Sequence, residues 1–517
     1  MPTEYVRNSM RWNSRVPVLS LLTLSIIPTE AFTTTSNCVS IKTISMRRVL
    51  NDGGFARRHP VKYAPLSVEP AATVTETNLT EEDEFCDVDP LQSLDTLPHE
   101  CRGTQSQLSA ATNLAKCICG AGSFALPHVF LEEGVLGGTV AITLCGALAA
   151  YTMKSLARST ALASRNAMKP VVSYVELAEE ALGPKAAQLV FALTLSASIG
   201  VCSTYLVFIG QTLESLSCDV TSQNVVRLLL PDVSASSWEA GTALVLLPLS
   251  LLRSYGIFAF TSLLGVVAVL GGIVVTLASG IFVNPGGGIS VAVEAVLDLP
   301  MWPESFSAAF GGSFGTIAYL FCVNFLTFPI LNSMEKPREE YGGAVNAAVS
   351  GVWLVNVVFA ILCLGFYGAD TQDLVLGNLN NGPYLSALKL LLCVDLLFTF
   401  PIVFAGGRQI LENAILGPGE NDTPESDAAL APGRTAIVTT AIGACLGLAQ
   451  IGGFGAVANL VGGVAQGTLA FIMPPTIAVA LARQSGDPLI GGETVQFALA
   501  AFGVTVVSSV TYYTAFS

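Results

Sequence analysis

The hydrophobic pattern divides the chain into a polar first hundred residues and a remainder built from long apolar runs. From position 109 onward, eleven runs are long enough to cross a hydrocarbon core of about 30 Å. We number them spans 1 to 11, and they cover residues 109–131, 134–156, 186–216, 235–252, 256–283, 307–331, 343–367, 384–404, 435–450, 455–482 and 494–513.

Helices are the structure that this pattern favours. The runs are apolar on all faces and longer than the ~10-residue alternating strands of a membrane barrel. In hydrocarbon every backbone group needs a partner within the protein, and a helix supplies one within a single segment. Turn residues such as Glu132-Glu133-Gly134 and Gly417-Pro418-Gly419 separate the runs. The pattern predicts an all-α polytopic membrane protein of about eleven transmembrane helices, with a short interfacial helix in the amphipathic stretch 173–183.

Composition narrows the function classes. Hydrophobic residues make up 52% of the chain and charged residues only 12%, about half the usual share in soluble proteins. The net charge of -14 disfavours nucleic-acid binding. The 12 cysteines show no metal-ligand spacing and lie mostly in apolar runs, which is typical of packing residues. We therefore expect no metal or organic cofactor, and membrane lipid as the surroundings.

Lysine and arginine are distributed unequally between alternate loops. Only Arg227 falls on one side, and the other side receives Lys154, Arg158, Arg165, Lys169, Lys185, Arg253, Lys336, Arg338, Arg408, Arg434 and Arg483. The positive-inside rule predicts that span 1 begins on the basic, cytoplasm-equivalent side and that Ser517 lies on the opposite, outer side.

The first hundred residues have the composition of targeting segments. Residues 1–31 contain three arginines before an apolar stretch, 16–27, that is too short to cross a bilayer but suits a signal peptide. Residues 32–68 are basic and rich in hydroxyls, as in transit peptides, and residues 69–108 form an acidic linker. This order, with Phe32 at the junction, resembles the bipartite plastid presequences of algae. A plain secretory signal or a disordered cytosolic tail are the alternatives, with a plasma, vacuolar or other endomembrane location.

Span 1 contains two glycines at its centre, Gly120 and Gly122. Residues without side chains weaken a helix there and can leave backbone groups free. A break exposes the N–H groups near Ala121, Gly122 and Ser123, whose positive dipole end suits a carboxylate, while the carbonyls ending the inner half suit an ammonium group. The break would thus match both ends of an amino acid. Close helix packing through small residues is the alternative explanation.

Span 1 resembles the first helix of the amino acid/auxin permease family, which carries Asn followed by Gly-x-Gly and Ala-Leu-Pro, here Asn113, Gly120-Ala121-Gly122 and Ala125-Leu126-Pro127. Further segments are similar, in order along the chain, to the third, sixth, eighth and tenth helices of that family. They are 205–210, Gly315-Thr316-Ile317-Ala318-Tyr319 with Phe328-Pro329-Ile330 and Met334-Glu335-Lys336-Pro337, 395–401, and 455–475. The resemblance covers 109–517.

This resemblance implies a LeuT-type fold. Two inverted five-helix repeats, at about 109–283 and 305–482, are followed by one extra helix, 494–513, and the substrate lies between broken spans 1 and 6. The family pattern places the break of span 6 at residues 321–324, and family members often carry His or Gly near Asn324. Tyr319 and Cys322 would face the substrate, with core packing as the alternative, and Tyr205 of span 3 would help to accommodate a neutral side chain.

Ionisable residues within the spans are costly and are therefore functional candidates. Lys116 lies one turn inside the break, on the part of helix 1 that borders a sodium site in sodium-coupled LeuT-type carriers, for which Thr399 would supply the hydroxyl of helix 8. We expect its ammonium group to replace the ion, which predicts proton-coupled or facilitative transport. Snorkelling to the interface is the alternative. His128 is a proton-relay candidate or an interfacial polar residue, Asp395 a hydrogen-bonding residue of the bundle, and Lys389 a snorkelling residue near the outer end of span 8.

Together these patterns predict a transporter of amino acids, with neutral ones favoured because no Arg or Asp is placed to receive a charged side chain. A membrane enzyme is disfavoured because the spans hold one histidine and no clustered carboxylates. An amino-acid sensor of the same fold remains the alternative, since binding without turnover needs the same site.

Overall fold

The computed structural model describes residues 103–219, 225–251, 256–282, 288–379, 382–416, 432–489 and 491–516. The signal-like segment 1–31, the transit-like segment 32–68 and the acidic linker as far as residue 102 lie outside the described residues.

A helix occurs at each of the eleven predicted spans, and no strand longer than one isolated bridge occurs in the described residues. In chain order the helices are Gln107–Ile118 and Leu126–Glu133 (span 1), Val135–Ala167, Pro184–Ser217, Ala235–Leu251, Gly256–Phe282, then Phe306–Gly312, Phe314–Phe321 and Thr327–Ser333 (span 6), Pro337–Tyr367, Pro383–Leu416, Pro432–Ala449, Phe454–Leu460 continuing to Met473–Ser485 (span 10), and Gly492–Phe516. The chain is an all-α polytopic membrane protein.

Not every helix is both long enough and apolar enough to cross a membrane. Seven helices in the described part of the chain are, or up to eight if the two bent halves of span 1 count as one helix. Spans 4, 5 and 9 are not, partly because Ala235–Leu251 has only 17 residues. Their crossing of the membrane, and with it the count of eleven, stays a prediction.

The short helix predicted in the stretch 173–183 is present at Tyr174–Leu182, and its interfacial position stays a prediction. It begins where the Ser173 hydroxyl accepts a hydrogen bond from the Glu176 N–H, and it ends at Gly183, whose φ of 89° favours glycine. Tyr174 anchors it, since its hydroxyl donates to the carbonyl of Leu469 in span 10 at 2.7 Å. Two further short helices, Val225–Leu229 and Ile289–Leu297, had no clear signal in the sequence.

The described residues begin before the predicted start of the transporter domain at 109. Gln105 pairs with the end of span 6, because its N–H donates to the Ser333 carbonyl at 3.0 Å and its carbonyl accepts from the Glu335 N–H at 3.0 Å. The Gln107 N–H donates to the Glu340 carboxylate at 3.0 Å. The last residues of the predicted linker thus hold the inner half of span 1 against spans 6 and 7.

The basic-side ends of spans 8 and 9 meet in a buried charge cluster. Glu412 lies 3.3 Å from Arg408 and 3.0 Å from Arg434, and Arg408 also donates to the Ser250 carbonyl of span 4. Both arginines are less than 5% exposed. Two of the arginines in the basic loops therefore also hold helix ends together.

The two breaks lie where two hydrophobic clusters meet. One cluster contains Ile118 and Leu126 with spans 2, 6, 7 and 11, and the other contains Ala121 and Phe124 with spans 3, 4, 5, 8 and 9. Tyr319 of span 6 belongs to the second cluster, whereas its neighbours Ala318 and Leu320 belong to the first. The interrupted segments therefore form the boundary between two packed halves.

Candidate functional site

Span 1 is interrupted at the predicted glycines. Its inner helix ends at Ile118, Gly120 is extended with φ −125° and ψ −153°, and a 3₁₀ turn follows at Ala121–Ala125. The two halves differ in direction by 46°. An extended residue ends the helical hydrogen-bond pattern, so backbone groups at mid-span lose their usual partners.

The break leaves fewer backbone groups free than the sequence suggests. The Ser123 N–H donates to the Gly120 carbonyl at 3.1 Å, and the Gly120 N–H donates to the Ile118 carbonyl at 3.1 Å. The N–H groups of Ala121 and Gly122 have no acceptor among the described residues. Two adjacent donors at the start of the outer half are therefore left without a protein acceptor among the described residues, and N–H groups at a helix start suit an anion.

Span 6 is interrupted at residues 322–323. Its outer helix ends at Phe321, Cys322 and Val323 leave helical geometry, and a 3₁₀ turn at Asn324–Leu326 leads into the inner helix. A second, smaller irregularity occurs at Ser313, whose hydroxyl donates to the buried Glu133 carboxylate at 3.1 Å. The interruption expected at 321–324 is therefore present, and the neighbouring glycines add a kink.

The residues of this second break face protein rather than a shared cavity. Cys322 is fully buried within the first hydrophobic cluster, beside Cys145 of span 2. Asn324 is also fully buried, and its side-chain nitrogen donates to the Thr152 hydroxyl of span 2 at 2.9 Å. The Asn324 side-chain oxygen has no partner among the described residues. Cys322 therefore has the surroundings of a packing residue in this conformation.

Tyr319 brings the two breaks together. A Cβ built on Gly122 would lie 3.2 Å from the Tyr319 ring and 2.9 Å from the Leu320 side chain. The Tyr319 hydroxyl lies 2.7 Å from the Thr204 hydroxyl of span 3. Tyr205, also of span 3, lies within electrostatic range of Cys117, Tyr319 and Asp395. Spans 1, 3, 6 and 8 thus converge beside the break of span 1.

The outer side of this site is closed by a layer of aromatic rings. Phe124 of span 1 lies 6.1 Å from Phe208 and 6.0 Å from Phe359, and Phe454 of span 10 lies 6.0 Å from Phe208 and 6.2 Å from Tyr319. These rings come from spans 1, 3, 6, 7 and 10. Such edge-to-face contacts stabilise a packed layer that excludes water.

A loop covers the aromatic layer. Both carboxylate oxygens of Asp373 accept from the Gly455 N–H, at 2.9 and 3.1 Å, at the start of span 10. The His128 ring lies 3.1 Å from the Thr371 carbonyl and 3.5 Å from the Glu132 carboxylate. The His128 side chain is one-third exposed, so the structure places it at the outer cover, away from the break.

The inner half of span 1 is accessible on one face. Thr112 and Cys117 are exposed, and Asn113, Lys116 and Gly120 are partly exposed. Cys117 nevertheless lies within range of Tyr205 inside the bundle, so this face borders an internal path. The inner half of span 1 therefore has accessible surface next to the break, whereas the outer half is covered by the packed rings.

Lys116 and Asp395 are close enough for their charges to interact across spans 1 and 8. Thr399, one turn after Asp395, donates to its carboxylate at 3.4 Å. Asp395 is 5% exposed, and Gly265 of span 5 leaves room for its carboxylate. The structure thus brings Lys116, Asp395 and Thr399 together.

Lys389 does not snorkel as expected, since it is 1% exposed and donates to the Ser215 hydroxyl at 3.2 Å.

Two glycines two residues apart provide a matched test of this site. We expect Gly122→Val to reduce transport at least about 100-fold, because its side chain would displace Tyr319 and Leu320. Gly120→Ala should retain most activity, because no described atom lies within 4 Å of its added Cβ and its backbone angles suit any residue. Initial uptake rates, normalised to the amount of folded protein, measure both. Equal losses in the two variants would contradict this geometry.

Sequence reasoning missed Thr204 and Glu133. Thr204 is one of many hydroxyls in an apolar helix, and Glu133 belongs to an apparent turn, yet it is only 7% exposed. Glu133 directly precedes a helix-breaking glycine at the membrane boundary, and nothing in that sequence context indicates that its carboxylate is buried.

Comparison with known proteins gives a consistent result. The family model described as transmembrane amino acid transporter protein matches residues 103–516. Amino acid transporter ANT1 of Arabidopsis thaliana is 26% identical over 71% of this chain and 83% of its own length. Amino acid transporter AVT3B of the same plant is 26% identical over 60% and 72%, and vacuolar amino acid transporter 7 of Saccharomyces cerevisiae is 23% identical over 60% of each.

A solved Na⁺-coupled sialic acid symporter, in a substrate-bound outward-open state, is 12% identical and aligns over 83% of this chain and 94% of its own, with a TM-score of 0.48. The family model spans most of the chain, including both broken helices. The chain belongs to the transmembrane amino acid transporter family.

Proposed function

We propose that this protein carries neutral amino acids by alternating access, with the substrate held between broken spans 1 and 6. The observation that carries the proposal is the pair of N–H groups at Ala121 and Gly122, which have no acceptor among the described residues and lie at the start of a buried outer half-helix. Backbone donors at a helix start favour a carboxylate.

The opposite end of the break suits the substrate ammonium group. The inner half-helix ends at Ile118, and its last carbonyls carry the negative end of the helix dipole. The Ile118 carbonyl already accepts from Gly120, so Cys119 supplies the acceptor closest to the break. Main-chain groups of span 1 thus suit both the carboxylate and the ammonium group, which leaves most of the side-chain pocket to set selectivity.

The pocket favours an uncharged substrate side chain. The charges of Lys116 and Asp395 interact with one another across spans 1 and 8. The other side chains around the break are aromatic or small, including Tyr205, Tyr319 and Ala121. A charged substrate side chain would lose its hydration there without gaining an opposite charge.

The LeuT-type arrangement is part of the proposal. The first span of each predicted repeat is interrupted near its middle, at Gly120 and at Cys322, and a single conformation is closed on one side and accessible on the other. Both properties are those of a carrier in which inverted repeats alternate around a central site.

Uptake into proteoliposomes tests this function. Purified full-length protein is reconstituted and screened with each proteinogenic amino acid, and we expect saturable uptake of neutral amino acids that excess unlabelled substrate abolishes. Binding in a thermal-shift assay without uptake or counterflow would instead show an amino-acid sensor. Uptake confined to cationic or acidic amino acids would contradict the proposed selectivity.

The proposed coupling excludes sodium. The Lys116 ammonium group lies within electrostatic range of the Asp395 carboxylate, which accepts from the Thr399 hydroxyl, and a sodium ion at this place would need such oxygen ligands. We expect uptake to be unchanged, within about twofold, when choline replaces sodium. An imposed pH gradient then distinguishes proton-coupled from facilitative transport. Loss of uptake in choline would contradict the role of Lys116.

The proposed location is a plastid envelope membrane, with the basic side towards the stroma. The support is the order of a signal-like segment, 1–31, and a basic, hydroxyl-rich segment, 32–68. Determination of the mature amino terminus tests it, since a start after about residue 68 is expected. An intact Met1 together with vacuolar fluorescence of a carboxyl-terminal fusion would favour a vacuolar membrane instead.

A further inference from the structure

A pair of hydroxyl groups joins span 3 to span 6 beside the breaks. The Thr204 and Tyr319 oxygens lie 2.7 Å apart, and the two residues are 0% and 8% exposed. Thr204 also donates to the Val201 carbonyl of its own helix at 2.7 Å. A threonine hydroxyl has one proton, so Thr204 must accept the hydrogen bond from Tyr319.

This hydrogen bond lies between the proposed site and the outer closure. Tyr319 lies three residues before Cys322, on the outer side of the span 6 break. Its ring borders Gly122 and lies 6.2 Å from the Phe454 ring between ring centres. A molecule that enters from the outer side must therefore displace this ring before it reaches Ala121 and Gly122.

We propose that Thr204 is a positioning residue that latches Tyr319 in the closed state and must release it before substrate enters from the outer side. The inference rests on the proposed site between spans 1 and 6. In the closed state the Tyr319 hydroxyl is buried and Thr204 is its acceptor, whereas in an outward-open state water replaces Thr204 as acceptor. Loss of the acceptor therefore disfavours only the closed state, by about tenfold in the equilibrium constant.

The hydrogen bond to Thr204 also determines which hydrogen-bonding groups the Tyr319 hydroxyl can offer to a ligand. Because Tyr319 donates its only hydroxyl proton to Thr204, the phenol oxygen offers a neighbouring molecule only lone pairs. A lone pair suits an ammonium group and is unfavourable towards a carboxylate. The Tyr319 phenol oxygen therefore adds a second acceptor for the substrate ammonium group, besides the Cys119 carbonyl, while the carboxylate remains at the backbone donors of span 1.

Thiol labelling on both sides of the site tests the latch. Cys117 is an exposed native reporter of the basic-side path. Ala458→Cys introduces a reporter for the outer side, because Ala458 is fully buried one turn after Phe454 in span 10. A membrane-impermeant methanethiosulfonate labels the purified full-length protein, and mass spectrometry of the two peptides measures both rates in one sample.

We expect Thr204→Val and Tyr319→Phe each to raise labelling at position 458 by about tenfold and to lower labelling at Cys117. Thr204→Ser should behave as the parent protein, because it keeps the hydroxyl. Ser203→Ala is the matched control, since the neighbouring Ser203 hydroxyl donates at 2.8 Å only to Ile199 of its own helix.

Opposite changes at the two reporters distinguish a shifted equilibrium from a loosened fold. Increased labelling at both positions, or no change at either, would overturn the latch. Tyr319→Phe keeps the test informative if Thr204→Val does not fold. Because labelling requires no substrate, its result is separate from the outcome of the amino-acid uptake screen.

Discussion

Replacing Gly462 by alanine is expected to remove most of the folded transporter. Gly462 of span 10 packs directly on the backbone of span 6, where an added Cβ would lie 2.6 Å from the Tyr319 Cα and still closer to the Gly315 carbonyl and the Tyr319 amide nitrogen. Backbone atoms within a helix cannot move aside as a flexible side chain can. We expect a destabilisation of more than about 3 kcal/mol, at or above the upper end for overpacking in cores.

The measurement is the thermal stability of the detergent-solubilised protein by size-exclusion chromatography after heating. Gly447→Ala in span 9 is the matched control, because no described atom lies within 4 Å of its added Cβ. That variant should equal or slightly exceed the parent, since alanine favours helix over glycine by about 1 kcal/mol. Normal stability of Gly462→Ala would show that spans 6 and 10 are further apart than this contact requires.

The positions of the helices followed from the sequence, because long apolar runs have one economical structure in a membrane. The interruption of span 1 was also predictable, since Gly120 and Gly122 lie at mid-run and backbone weakening needs only local information. By contrast, span 10 contains two stretches of π-helix, Val461–Gln466 and Thr468–Ile472. Their geometry depends on packing against spans 6 and 11, and glycines alone do not predict it.

The site was predictable in its backbone and less so in its side chains. Ala121 and Gly122 do present free donors, but the Ser123 N–H is used within the 3₁₀ turn, a detail that depends on the angle at which the chain resumes. Thr204 was missed because its significance lies in Tyr319, which is 115 residues away in the chain. Hydrogen bonds between distant helices are set by packing, and no periodicity in one helix reports them.

The second large predicted effect is the loss of stability and uptake when one of two charges, Lys116 of span 1 or Asp395 of span 8, is removed. Removing one member of a buried pair leaves the other without its counter-charge and costs about 3 to 5 kcal/mol when both are fully buried. Lys116 is partly exposed and interacts with Asp395 only at electrostatic range, so we expect a smaller loss, about 2 kcal/mol, from Lys116→Met, because the Asp395 carboxylate stays in the bundle at 5% exposure. The double variant Lys116→Met/Asp395→Asn should recover most of that stability, since it removes both charges together.

Sodium should distinguish the variants in transport as well. We expect Lys116→Met to lower uptake by about 30-fold in choline, because an Asp395 carboxylate without its counter-charge disfavours the substrate-binding conformation by about 2 kcal/mol, and uptake should recover in part when sodium is added. Asp395 and Thr399 then present the oxygen atoms that a hard cation prefers at the place of the lost ammonium group. The double variant lacks the carboxylate and should not respond to sodium. Lys154→Met controls for net charge, because it removes a partly exposed lysine that donates to the Asn346 side chain at 2.9 Å. If Lys154→Met and Lys116→Met respond equally to sodium, Lys116 does not stand in for an ion.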